Sequence, residues 1–429
     1  MFTTIRNAFK NDDLRKRIIY TIFILIIFRL GSAVIAPFID GAHLSQQIGN
    51  STDFLGLLNT FSGGAFEKAS IFALNIQPYI TASIIVQLLA IAIPALERLS
   101  KEGETGRKKL NKITKYVTVG MCLLQGYAYY TIVRAEGAIN AKYLSGFPKY
   151  FALITIILSL TAGASVVTWL GDQITEKGIG NGISIILFAN IISRLPQTFD
   201  VLWKNFMQGG KNFILVPIIL LIFAGMIVLI IVMNEGERRI PVAYAKRVVG
   251  RKMYGGQNSH IPIKVSMSGV MPIIFASSLV SLPGMIARFA NPKPGGFWYG
   301  FLTVMSPSHW FYGILYFLLI IGFNYFYVAV QYNPIEIANN IKSNNGAIPG
   351  IRPGKPTSTF IAKVIAKITF IGALFLGFIA IFPIIFNSIT SIPVALGGTS
   401  IIIIVGVALD TMRQLESQLM MRHHKGFLE

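Results

Sequence analysis

Few residues in this 429-residue chain have the types and spacing that chemistry requires. His43, His260, His309, His423 and His424 are scattered, and the one adjacent pair lies in the C-terminal tail, where a solvated end is a simpler reading than a metal site. Cys122 is the single cysteine and sits inside an apolar run, which excludes an intrachain disulfide and a Cys-rich metal site. Gly178-Ile179-Gly180-Asn181-Gly182 has the look of a nucleotide loop, but a dinucleotide fingerprint needs its third glycine at the position of Ile183, after a strand. Gly171-Asp172 is half of an intramembrane aspartyl protease motif; Trp169-Leu170 precedes it and no second intramembrane Asp accompanies it. No Walker loop, HExxH pair or GxSxG elbow is present. The expectation is a protein that is not an enzyme and has no cofactor or metal. An ion-coupled carrier would need ligands near the bilayer midplane. Arg29 is the one clear charge inside an expected span, and it reads as a side chain paired or snorkelling to the outer interface. Asp172 and Asp410 fall near span ends, where solvated carboxylates cost little.

The elements carrying these residues are apolar. With 53% hydrophobic residues, 13% charged and a mean hydropathy of +0.61, the chain is too apolar for water to be its main solvent. Ten runs of roughly spanning length occur, near 18–37, 71–94, 113–133, 150–171, 181–202, 213–233, 268–290, 310–332, 364–386 and 396–412. The last is the weakest, being short and preceded by Gly397-Gly398. Arg15-Lys16-Arg17 before the first run imitates a signal peptide, but Arg29 within the run and the spans that follow make it the first retained span. An even number of spans puts both termini on one side. Placing that side in the cytoplasm gives it roughly three quarters of the 38 Lys and Arg residues, the positive-inside pattern. The net charge of +20 is therefore read first as orientation and second as docking surface. Polar loops near 235–267 and 333–363 are then both cytoplasmic and basic. The expected fold is all-α, a polytopic membrane protein of ten transmembrane helices, divisible near residue 205 into halves 1–205 and 206–429, without demonstrable sequence repetition between them.

Residues 53–66 are apolar but too short and glycine-broken to span. Two readings stand: a half-inserted element bordering an aqueous vestibule, or an amphipathic helix on the outer interface. Pro78 predicts a kink in the second span, where Thr81, Ser83 and Gln87 add polar groups able to hold a gate by hydrogen bonds.

Several longer strings resemble the SecY family of translocation channels. They are SGGAFEKASIFALNIQPYITASIIVQLL (62–89), KEGETGRKKL (101–110), WLGDQITEKGIGNGISII (169–186), YAKR (244–247), SHIPIKVSMSGVMPIIFASS (259–278), NPIEIANNIK (333–342), IPGIRPG (348–354) and GGTSIIIIVGVALD (397–410). The resemblance runs nearly end to end. It implies two five-helix halves around an hourglass pore, with a lateral seam between spans two and seven flanked by three and eight. It also implies a plug at about 53–70, carrying Phe54, Leu57, Leu58, Phe61, Gly63 and Gly64. The pore ring carries over as Ile76, Ile80, Ile183, Leu187, Ile274 and Ile403, with Leu187 departing from the Ile-rich ring common in relatives. Branched apolar side chains in a narrow neck expel water and block ions, yet yield around an extended polypeptide. Thr81, Gln87 and Ser277 carry over to the gate.

Arg238, Arg239, Lys246, Arg247, Arg251, Lys252 and Arg352 resemble docking sites for the ribosome and the SecA ATPase. A bland reading, in which these charges set topology and touch anionic lipids, explains their sign but not loops this long with embedded Pro and Gly. The implied assembly includes a SecE-like subunit, a SecG-like subunit, signal peptides and preproteins, in a bacterial plasma membrane with both termini cytoplasmic. Its function is to pass unfolded preproteins across the membrane and release transmembrane segments sideways. A secondary transporter and an intramembrane protease are the rival classes, and they predict a midplane ion site and paired catalytic residues respectively.

Overall fold

Capping residues set where the apolar runs become helices. Asn11 accepts from the Asp13 N–H and opens α2 (Asp12–Gly31), after the short N-terminal α1 (Phe2–Lys10). The computed structural model describes residues 2–48, 59, 62–140, 143, 146–209, 211–244, 247–249, 252–254, 259–290, 296–305, 309–390 and 398–423. The first half continues through α3 (Gly41–Ile48), α4 (Gln77–Ala92), α5 (Pro94–Lys101), α6 (Glu104–Ala135), α7 (Phe147–Lys177), α8 (Gly182–Ser193) and α9 (Leu195–Met207). The second holds α10 (Lys211–Glu235), strands β1 (Glu237–Tyr244), β2 (Arg247–Val249), β3 (Lys252–Tyr254) and β4 (Ser259–Lys264), then α11 (Met271–Ala290), α12 (Phe297–Val304) and α13 (Trp310–Gln331). It ends with α14 (Pro334–Ser343), β5 (Gly346–Ala347), α15 (Lys355–Thr390) and α16 (Gly398–His423).

Among the described residues six helices are long and apolar enough to cross a membrane, or seven if the bent pair α4 and α5 counts as one. Three more of the ten expected runs lie in α2, α6 and α11; α2 and α6 begin with charged turns that shorten their apolar length. The second run departs most from expectation. Residues 71–76 are irregular and, from Phe72 on, buried, α4 starts at Gln77, and the direction changes by 107° between α4 and α5. Pro78 therefore does not kink the helix. It occupies the first turn, where no N–H is needed and its fixed φ suits helix initiation, while the bend falls at Ile93-Pro94.

The halves touch along two lines. α8 packs on α16 at one, and α11 packs on α4 and α6 at the other. One apolar core runs through both, drawing on α2, α4, α7, α8, α10, α11, α13, α15 and α16. The glycine-rich stretch before α8 serves this packing: a Cβ on Gly182 would lie 1.9 Å from the Gly171 carbonyl oxygen, and Gly180 has φ +78°. Asn181 then caps α8 through the N–H groups of Ile183 and Ser184. Only glycine lets α8 start this close to α7.

The strands, which sequence reading did not anticipate, are confined to the two polar loops. β1 lies between β4 and β5, pairing Glu237 with Lys264 through Val242 with Ser259 on one side and Ala243 with Ala347 on the other. Ile240, Val242, Ile263, Ile341, Ile348 and Ile361 form a small core beneath them. Two loops about 100 residues apart thus fold as one unit.

Candidate pore, plug and gate

α8 presents Ile183 and Leu187 one turn apart, and α4 presents Ile80 one turn after its N-cap Ile76. α11 supplies Ile274 and α16 supplies Ile403. The fold brings all six into the same apolar core: Ile76, Ile80, Leu187, Ile274 and Ile403 are buried, and Ile183 packs against them half-buried. Their four helices come from both halves of the chain. A cavity of about 40 Å³ adjoins Leu187, bordered by Ser62, Phe66, Asn75, Gln77 and Gln125.

Of the six plug residues, Phe54, Leu57, Leu58 and Phe61 lie outside the described residues; Gly63 and Gly64 lie within them. Both glycines have positive φ, +64° and +86°, in a chain of turns over 62–69. The segment is tied down by polar groups. Arg29 at the end of α2 donates to the Gly63 carbonyl at 3.1 Å, which makes it a paired side chain. The Tyr129 hydroxyl donates to the Phe66 carbonyl at 2.9 Å. Buried Glu67 faces Arg194 at 2.9 Å, and Asn59 donates to the same carboxylate oxygen. Arg29 is therefore not the one charge inside the expected spans. Arg194 lies in the 181–202 run, largely buried, because a carboxylate distant in sequence folds against it.

At the line where α11 meets α4, Gln77 Nε2 donates to Ser278 Oγ at 3.3 Å. The residues expected at the gate bond within their own helices: Thr81 to the Gln77 carbonyl, Gln87 to Ser83 and Ser277 to the Ile274 carbonyl. The residues expected at the gate lie on α4 and α11, and the hydrogen bond between these helices falls to two other residues, Gln77 and Ser278.

The SecY family model matches residues 70–412. A curated relative from Corynebacterium glutamicum, the protein translocase subunit SecY, is 41% identical, and the alignment covers 100% of both chains. The chain belongs to the SecY family. Its fold is also that of a solved SecY in which the plug domain stabilises the closed state and maintains a membrane seal, with TM-score 0.66 at 20% identity over 94% of this chain and 92% of that one. The Sec61 of a canine ribosome-channel complex matches with TM-score 0.62 at 17% identity, covering 94% of this chain and 92% of that one.

In the basic loops of this SecY chain, three of the expected docking cations have described side chains, and all three are exposed. Arg238 and Arg239 are exposed at the start of β1, and Arg239 pairs with Glu237 at 2.6 Å. Arg247 lies in β2, while Lys246 and Arg251 lie outside the described residues and Lys252 begins β3. Arg352 is exposed between Gly350 and Gly354, whose φ values are +82° and +104°. Its carbonyl accepts from Thr357 Oγ1 at 2.8 Å, pinning the loop to the first turn of α15. The two glycines allow the turn on which Arg352 is exposed.

Proposed function

We propose that this chain is the pore-forming subunit of a bacterial protein-translocation channel, passing unfolded preproteins across the plasma membrane and releasing transmembrane segments sideways into lipid. It works as a gated conduit, and energy comes from a partner. Residues 1–205 and 206–429 form the halves, α4 and α11 border the lateral gate, and 53–70 is the plug. The observation that carries the reading is the convergence of six aliphatic side chains from four helices of both halves into one core. A ring of that chemistry has no polar group to hold a hydrated ion and no strong site to arrest a polypeptide. The basic unit built from β1, β4, β5 and the Arg352 turn suits ribosomal RNA phosphates and acidic faces of the SecA ATPase. The ribosome-bound state of the canine neighbour supports the former. SecE-like and SecG-like subunits, anionic lipids and cytoplasmic termini complete the assembly.

The test is ion leakage across planar bilayers holding the reconstituted channel. Replacing Ile80 and Ile274 by Gly widens and wets the neck, so leakage rises. Leakage equal to that of the unsubstituted channel would overturn the ring.

A further inference from the structure

One face of α8 carries four residues in helical register: Ile183 and Leu187, then Asn190 and Arg194 at its outgoing end. The first two belong to the proposed ring. The last two hold the C-terminal part of the plug segment, at Gly63 and Glu67. Arg194 Nη2 lies 2.9 Å from Glu67 Oε2, with side chains 10% and 5% exposed. Asn59 clasps Glu67 twice, donating from its amide to the carboxylate and accepting from the Glu67 N–H at 3.2 Å. Beside the pair, Gly63 sits so close to Asn190 that a Cβ there would lie 2.8 Å from Asn190 Oδ1. Both amide atoms of Asn190 are buried with no hydrogen-bond partner.

We propose that the Glu67–Arg194 ion pair is a latch that holds the plug segment against the ring-bearing helix and sets the balance between sealed and open channel. The inference rests on the plug reading above and adds the residues that regulate it. A buried pair suits a latch because its halves are stable in two situations only, paired in the dry closed core or separately hydrated. When the segment leaves, Glu67 returns to water while Arg194 and Asn190 face a wet lumen, where Asn190 gains the hydrogen bonds it lacks when closed. Removing one partner leaves a buried charge uncompensated in the sealed state alone, so the equilibrium shifts toward open. The ring needs no change for this to happen, because the latch lies two turns along the same helix.

Single-channel recording of the full-length chain in planar bilayers tests it. Glu67→Gln and Arg194→Gln each raise resting conductance about tenfold or more, and the exchanged pair Glu67→Arg with Arg194→Glu reseals the channel. In a channel lacking 53–66, resting conductance is already high and Glu67→Gln adds nothing to it. A structural role unrelated to the plug would still show an effect there. If deletion leaks while both single variants stay sealed, or the exchange fails to reseal, the latch is overturned and the plug reading survives. If the deletion itself stays sealed, the plug reading falls and the latch with it. Should one single variant fail to insert, the other is compared with the doubly neutral Glu67→Gln with Arg194→Gln, which leaves no unpaired buried charge; a double variant that leaks less than the single one supports the latch, and equal leakage overturns it.

Discussion

At the scale of single residues, the buried and the exposed arginines do opposite work. Arg194 is held in the core by a carboxylate, whereas Arg352 is exposed on a turn that two glycines of positive φ permit. A guanidinium offers a fixed fork of donors for carboxylate or phosphate, so a point charge on a flexible stem is an imperfect replacement and a carboxylate a repulsive one. Arg352→Glu is expected to weaken SecA binding about tenfold or more and abolish SecA-driven import of a preprotein into vesicles. Insertion of the chain and its resting conductance stay unchanged, because the substitution lies outside the packed helices. Normal import would make Arg352 a topology charge. Glycines set a different constraint. A Cβ on Gly163 of α7 would lie 2.0 Å from the Ile71 carbonyl oxygen, so the irregular stretch before α4 reaches membrane depth only because α7 is bare there. Such backbone is tolerated within a bilayer when protein covers it, and Phe72, Ala73, Leu74 and Ile76 are all buried.

At the scale of elements, the short strand β5 matters more than its two residues suggest. It joins the loop carrying Arg352 to the loop carrying Arg238 and Arg239, so the charges of both are presented on one body. The joint has no slack: a Cβ on Gly346 would lie 2.8 Å from the Tyr244 ring and 3.1 Å from the Ile341 carbonyl oxygen. Gly346→Val should part β5 from β1, at a local cost of about 1–3 kcal/mol by overpacking. The expected result is slower SecA-driven import with an unaltered resting conductance, measured on the same vesicles and bilayers as the Arg352 variant. A rise in conductance would mean that the loops brace the pore as well as the docking surface. α16 makes a complementary point. Its run is the weakest of the ten by length, yet it is the most buried of the candidate spans, with Ile401, Ile402, Ile403 and Val405 in the common core. A helix surrounded by protein does not need a full lipid-facing length. α10 is the opposite case, with a mean hydropathy of 3.3 and little of its surface covered.

At the scale of the whole molecule, the proposed reading has two halves, joined along two lines, open at the α4–α11 line while the α8–α16 line stays closed. Both lines lie in the common core, and the α4–α11 line also carries the Gln77–Ser278 hydrogen bond. A hydrogen bond of that kind in a membrane interior contributes about 1 kcal/mol, small enough to exchange as a segment passes. Such a clamshell needs an external brace, and purification in mild detergent should recover a small apolar subunit with the chain. A chain that purifies alone and drives ion-coupled uptake of a solute would overturn the channel. The net charge of +20 adds a second check, because docking that relies on exposed Lys and Arg weakens as ionic strength rises while a sealed pore does not respond.

Composition and local period were enough to place the helices in a membrane, because lipid rewards apolar runs of spanning length whatever surrounds them. The six residues that the family motifs assign to a ring, Ile76, Ile80, Ile183, Leu187, Ile274 and Ile403, are ordinary aliphatics that no rule of spacing distinguishes, and all six reach the same core. Polar partnerships were not legible. Thr81, Gln87 and Ser277 are polar residues on two helices that meet, but each bonds a group on its own helix, and the hydrogen bond between the helices falls to Gln77 and Ser278 because the crossing of α4 and α11 brings those two together. Glu67 and Arg194 stand 127 positions apart, and in sequence one reads as a loop charge and the other as a stray cation in an apolar run. A hydrophobic side chain is satisfied by any dry neighbour, so its burial follows from local pattern. A buried charge or amide is satisfied only by a particular group at hydrogen-bond distance and angle, and the packing of distant helices supplies that group.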